Sequence, residues 1–275
     1  MARNVLISGG ARGIGRCLAR RFCELGDSVY VLDINEDELN HTVTKHLAKY
    51  YEDKKLSSGI CNLRDTEDIR TQVDAAAKFL GGRIDVLINN AGIAHPYWRD
   101  GKTMADKETL EQWQAYIETN LTAPFAVSQA CIPYMRHEEN KSDDRTDSDA
   151  GPCIIHISSF RALSSDPNQE GYASTKSGLL GLTHSMAVSL QQWGIRVNAI
   201  LPGKIKVEHE CKDGDEKGME WVEQNVDKDV DAHLTNRVGR GEDIAHAVEY
   251  LIDAGFVSGH EIVVDGGKTK TKSSD

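Results

Sequence analysis

Short runs of apolar, mostly β-branched residues alternate with helix-length segments along the whole chain. No other feature constrains the fold as much. Val5–Ser8, Val29–Asp33, Leu56–Cys61, Val86–Asn89, Cys153–Ser158, Val197–Ile200 and Ile262–Val264 read as seven strands. Most are continuous apolar runs, the pattern of strands covered on both faces. Between them Gly13–Leu25, Glu36–Tyr50, Asp65–Leu80, Glu108–Met135, Tyr172–Gln192 and Glu242–Ile252 have helical length. This order predicts an α/β fold: a doubly wound parallel sheet of seven strands with helices on both faces. The 275 residues suit one domain spanning 1–275, with no linker or repeat.

Two stretches break the rhythm. His137 to Gly151 is polar, acidic and aperiodic, and is expected to be a mobile surface loop. Lys204 to Arg240 contains apolar islands at Met219, Trp221, Val222, Val226, Val230 and Leu234. A long excursion there is where a lid over a substrate pocket would sit.

Charge and cysteine usage exclude several function classes. With 32 Lys+Arg against 43 Asp+Glu, the net charge of -11 repels phosphate backbones and anionic membranes, so no nucleic-acid or membrane partner is expected. No apolar run approaches the roughly 18 residues of a membrane span. The apolar stretch Val5–Ile7 is too short for a signal peptide and reads as a first strand. Cysteines 17, 23, 61, 131, 153 and 211 form no C-x-x-C pair and have no histidine at finger spacing, so no metal site is expected. They read as reduced, mostly buried thiols of a cytoplasmic protein.

The first strand runs into Ser8-Gly9-Gly10-Ala11-Arg12-Gly13-Ile14-Gly15, which opens a helix. Glycines let backbone approach a pyrophosphate, and the helix N-terminus offers unpaired N–H groups with partial positive charge. The second strand ends at Asp33, 18 residues after Gly15. An acidic side chain there can accept hydrogen bonds from an adenosine ribose. Together these predict a dinucleotide site.

Gly9-x-x-x-Gly13-x-Gly15, Asn89-Asn90-Ala91-Gly92, Ser159, Tyr172-x-x-x-Lys176 and Pro202-Gly203 stand in order along the chain. With these motifs, and with Val264-Asp265-Gly266-Gly267 at its end, the chain resembles the short-chain dehydrogenase/reductase family over nearly its entire length. The resemblance implies a Rossmann-like fold and cofactor contacts from Gly9, Arg12, Gly13, Ile14, Gly15, Asp33, Asn62, Leu63, Asn89, Ala91, Gly92, Tyr172, Lys176, Pro202, Gly203 and Ile205. It also implies a catalytic set of Asn120, Ser159, Tyr172 and Lys176. In this reading Tyr172 moves the proton, Lys176 also holds the nicotinamide ribose, Ser159 holds the substrate oxygen, and Asn120 supports a water beside the lysine.

The chemistry agrees with those roles. Tyr172 and Lys176 are one helical turn apart on one face. A free phenol, with pKa about 10, is a poor base at neutral pH, and a nearby ammonium favours its ionised form. Ser158 is the one rival to Ser159, and the spacing to Tyr172 favours Ser159. Two positions depart from the family pattern. Asn62-Leu63 stands where Asp-Val or Asp-Leu is common, and Val207 replaces a frequent threonine after Pro202-Gly203.

Asp33 facing a 2′-phosphate argues for NAD. Arg12 can pair with that phosphate and keeps NADP open, or it is a solvated loop residue. His156, inside a strand, is expected to be a satisfied core residue, and His95 to line the pocket mouth or lie exposed. Phe160, Arg161, Gln169 and Glu170 flank the catalytic pair; the Arg, Gln and Glu suit a polar substrate, whereas Met219 and Trp221 suggest an apolar cover.

The expected function is hydride transfer between NAD(H) and a secondary alcohol or ketone. An NADPH-dependent carbonyl reductase is the alternative within the family. A non-catalytic, cofactor-sensing regulator is the alternative of another class, and the intact Ser159, Tyr172 and Lys176 count against it. Glu108–Met135 and Tyr172–Gln192 carry apolar residues on more than one face, which predicts burial by a second copy. The family resemblance implies a two-fold interface between these helices, in a homotetramer or homodimer.

Overall fold

The computed structural model describes residues 2–136, 150–224 and 227–270. Seven strands form one sheet: β1 (Asn4–Ser8), β2 (Ser28–Asp33), β3 (Leu56–Ile60), β4 (Val86–Asn89), β5 (Cys153–Ile157), β6 (Arg196–Pro202) and β7 (Glu261–Val264). Their order is β3-β2-β1-β4-β5-β6-β7, and every pairing is parallel. The chain runs outward from β1 to β3, then returns to place β4 on the other side of β1. That reversal of strand order, at β1 and β4, is where a doubly wound sheet receives a ligand beyond the carboxyl ends of its strands.

The helices are α1 (Gly13–Glu24), α2 (Glu36–His41), α3 (Ala48–Glu52), α4 (Thr66–Phe79), α5 (Thr109–Ile117), α6 (Ala123–Met135), α7 (Glu170–Leu190), α8 (Lys212–Lys217), α9 (Asp227–Val230) and α10 (Gly241–Asp253). Side chains alternate across the sheet, so each face builds its own core. Val5, Ile7, Val31, Ile88 and Ile155 pack against Leu18 and Phe22 of α1 and against Ile244 and Val248 of α10. Leu6, Leu32, Leu87, Ile154 and Val197 pack the opposite way, against α4, α6 and the end of α7. Truncating a fully buried aromatic such as Phe22 to alanine costs about 3–5 kcal/mol.

Two expected helices are interrupted. Glu36–Tyr50 divides into α2, a π-turn over Thr42–His46, and α3. The β-branched run Thr42-Val43-Thr44 crowds a regular helix, and the Thr42 hydroxyl donates to Ala11 O at 2.6 Å, tying this point to the glycine-rich turn. Glu108–Met135 divides at a second π-turn, Glu118–Thr122, between α5 and α6. Pro124 has no N–H to give the Asn120 carbonyl four residues back, so that carbonyl lacks its α-helical donor. Of the expected acidic loop, residues 137–149 lie outside the described residues. Among the described residues no helix is long and apolar enough to cross a membrane.

Candidate active site

The glycine-rich turn is shaped by contact between the tips of β1 and β4. Gly9 has φ +67°, and a Cβ there would stand 2.5 Å from Ala91 Cα. A Cβ on Gly15 would stand 2.1 Å from Gly9 O. No other residue type fits either position. Asn90 holds the turn from β4, its Nδ2 donating to Gly9 O at 2.7 Å and Ser8 O at 3.2 Å. Sequence reasoning did not single out Asn90, although the Asn89-Asn90 doublet marks the spot.

Helix α1 begins without a side-chain cap, so the first-turn N–H groups of Ile14 and Gly15 have no capping side chain. Helix α4 shows the ordinary alternative, where Asp65 accepts from Glu67 and Asp68 N–H. Asp33 closes the far side of the turn. Its carboxylate accepts from Ala11 N at 3.1 Å and Asn35 N at 3.0 Å, and remains partly exposed. Arg12 is exposed. A close-packed glycine cradle, an uncapped helix start and an accessible acceptor on β2 fit the phosphates and ribose of a dinucleotide.

Beyond β3, Asn62 is exposed, with its Oδ1 accepting from Arg64 N at 3.2 Å, and Leu63 packs into the second core. The Asn89 side chain points into the sheet, where Nδ2 reaches Ser128 Oγ at 3.0 Å and His156 Nδ1 at 3.2 Å. Its Oδ1 is buried and has no hydrogen-bond partner among the described residues. Gly203 N donates to Val264 O at 2.8 Å beside buried Pro202. Ile205 pairs as an isolated bridge with Gly239, where a Cβ would stand 2.2 Å from Ile205 Cδ1.

The predicted catalytic residues converge at the carboxyl end of β5. Ser159 follows β5 in extended conformation (φ -166°), and its Oγ accepts from Arg161 N at 3.1 Å. Ser158 is spent elsewhere, donating to the Lys176 carbonyl at 2.8 Å. Of the two serines, Ser159 is the one that acts on the Tyr172 phenol. Lys176 is 5% exposed, and its Nζ donates to Ile157 O at 2.9 Å and lies 5.7 Å from the Tyr172 ring centre. Asn120, buried in the second π-turn, accepts from Ile93 N at 2.7 Å. A Cβ on Gly92 would lie 3.1 Å from Asn120 Oδ1 and 3.6 Å from Lys176 Nζ, so these three meet.

Burial pushes the Tyr172 phenol above its ordinary value, opposed by the Ser159 hydrogen bond and the Arg161 charge. Burial brings Lys176 down to about 8. Arg161 is a cation whose charge favours the phenolate.

The surrounding polar residues are largely spent on one another. Trp98 Nε1 donates to Glu170 at 2.8 Å, Gln169 Oε1 accepts from Asp166 N at 3.2 Å, and Arg161 pairs with Asp166. His95 lies exposed. Trp221 donates from Nε1 to Gly239 O at 3.2 Å and carries Arg240 over its ring at 4.0 Å. His156 is not the satisfied residue expected. It is fully buried, its Nε2 has no hydrogen-bond partner among the described residues, and burial together with Lys176 lowers it to about 3. All six cysteines are free, and all but Cys211 are buried.

A family model described as enoyl-(acyl carrier protein) reductase matches residues 9–269. An uncharacterized oxidoreductase of Thermotoga maritima is 32% identical over 274 residues, covering 96% of this chain and 94% of that protein. A 3-oxoacyl-(acyl-carrier-protein) reductase of the same organism is also 32% identical, over 95% of this chain and 96% of its own length. Among solved structures, an apo SCOR enzyme from Clostridium thermocellum superposes with TM-score 0.77 at 31% identity, covering 99% of this chain and 95% of that one. ElxO with NADP bound superposes with TM-score 0.78 at 28% identity, covering 98% of this chain and all of that one. From its seven-stranded parallel sheet to the residues gathered at its edge, the chain belongs to the short-chain dehydrogenase/reductase family.

Proposed function

We propose that the protein interconverts a secondary alcohol and a ketone, with NAD(H) as hydride carrier. The convergence of Ser159, Tyr172 and Lys176 at the end of β5, on the same edge of the sheet as the glycine-rich turn, carries this reading. A nicotinamide dinucleotide held there supplies the hydride acceptor or donor. Tyr172 takes the alcohol proton, or returns it to the carbonyl oxygen in the reverse direction. Ser159 orients the substrate oxygen through its hydroxyl. Lys176, drawn out of water, carries its charge below about pH 8 and exchanges protons near neutrality. The Asn120 carbonyl, which Pro124 deprives of its α-helical donor, can hold a water that links Lys176 to solvent.

Asp33 supports NAD, because its carboxylate lies where a 2′-phosphate would meet like charge. Exposed Arg12 and the NADP held by ElxO favour a second reading, an NADPH-dependent ketone reductase. Leu110, Phe125 and Val188 on α5, α6 and α7 are 72%, 48% and 65% exposed, which supports a homodimer or homotetramer formed through these helices.

The test is turnover of sugars, polyols, steroids and aliphatic ketones with each cofactor. Oxidation or reduction of one class with a preference for NAD(H) is expected. Binding of cofactor with no turnover of any class would favour a cofactor-sensing regulator.

A further inference from the structure

The segment after β6 does not hang free beside the substrate site. It runs past the start of α1 to α2, and it is fastened at both places. Glu210 O accepts from Gly13 N at 2.7 Å, in the phosphate turn itself. Val207 Cγ2 lies 3.5 Å from where a Gly13 Cβ would be. Further on, Lys212 N donates to Glu38 at 2.9 Å, and Lys212 Nζ pairs with Asp37 at 2.8 Å.

The strongest attachment is anchored by a buried arginine. Arg16, in the first turn of α1, is 1% exposed although it carries a full charge. Its Nε donates to Glu210 Oε2 at 2.9 Å, and its two terminal nitrogens grip Asp215 at 2.8 and 2.6 Å. Arg20, one turn on, donates to Glu210 as well. His41 and His46 reach Asp215 from the other side at 2.8 and 3.4 Å. Cys17, Glu210 and Glu242 are grouped closely enough to hold a metal ion, but Arg20 Nη2 donates to all three. A guanidinium already supplies the positive charge there.

A buried arginine with two carboxylate partners is expensive to separate and resists opening more strongly than exposed pairs do. The phosphate turn is therefore bordered by a segment whose release requires Arg16 to part from Glu210 and Asp215.

We propose that Arg16, Glu210 and Asp215 form a latch that fastens residues 205–215 against the phosphate turn and sets how slowly a bound dinucleotide leaves. The latch rests on the cofactor site proposed above. Its three residues are positioning residues and take no part in hydride or proton transfer.

Stopped-flow energy transfer from protein tryptophan to NADH, repeated with NADPH, measures dissociation directly. Asp215→Asn and Arg16→Met are the test variants. Asp213→Asn, an exposed acid on α8 paired with Lys217, is the control. Breaking the pairing of the buried Arg16 charge acts mainly on the off-rate, so both test variants should release NADH about tenfold faster or more. Asp213→Asn should match the wild type, Asp215→Glu should restore slow release in part, and kcat at saturation should not fall. Arg16→Met leaves Glu210 paired with Arg20, and if it does not fold, the milder Asp215→Asn decides alone. Release within twofold of wild type from a folded variant overturns the latch, as does a fall in kcat with unchanged release. A wild type that shows energy transfer with neither nucleotide overturns both the latch and the proposed cofactor site.

Discussion

Replacing His156 with glutamine should remove a pH dependence of stability that its burial creates. The imidazole sits in β5 between Asn89 and the Lys176 charge, and its folded value is lowered from 6.5 to about 3. A base with a depressed folded pKa supports the fold fully above its unfolded pKa, and that support is lost as pH falls. Between pH 7 and 5 the unfolded chain takes up a proton at this site while the folded chain does not. At pH 5 the unfolded imidazole is about thirtyfold more protonated than neutral, which corresponds to about 2 kcal/mol of lost stability relative to pH 7. His46, lowered by burial and by Arg16, shifts in the same direction but is present in both proteins and cancels in the comparison. Glutamine does not titrate. Its altered packing costs stability at both pH values and also cancels. Urea unfolding at pH 7 and pH 5 gives four midpoints. Wild type should lose about 2 kcal/mol more than His156→Gln across that interval, a difference of several degrees in Tm. Equal losses in the two proteins would refute the reasoning and show that the folded imidazole accepts a proton.

Tyr172→Phe should lower kcat by about 100-fold or more while dinucleotide binding persists, because the ionisable hydroxyl is removed and the ring stays packed on Tyr116. Steady-state rates with a cofactor titration check this, and retention of a tenth of kcat contradicts the role. Asp33→Ala should raise kcat/KM for NADP relative to NAD, and an unchanged ratio means that the carboxylate does not face the ribose. Light scattering at micromolar concentration should give a mass well above that of one chain. Phe125→Glu, on the exposed side of α6, should reduce it to the monomer.

The sheet was legible because its signal is local. Seven β-branched runs separated by helix-length segments specify strands covered on both faces, and a parallel connection needs a helix between them. The glycine turn, Asp33, Ser159, Tyr172 and Lys176 were legible for a similar reason. Each occupies the end of a strand or the start of a helix, and fixed spacing brings strand ends of a parallel sheet to one edge. The breaks within two helices were not read, though Thr42-Val43-Thr44 and the Asn120-to-Pro124 interval signal them locally. The rest depended on residues far apart in sequence. The choice between Ser158 and Ser159 rested on which hydroxyl the Lys176 carbonyl takes up. Whether Asn89 faces cofactor or core depended on Ser128 and His156 lying behind it. Nothing near Arg16 announces carboxylates 194 and 199 residues away. Periodicity and spacing can assign strands and helices, because those are repeats of backbone geometry. The environment of a buried charge or imidazole is the sum of neighbours from several elements, and only the packed tertiary structure brings them together.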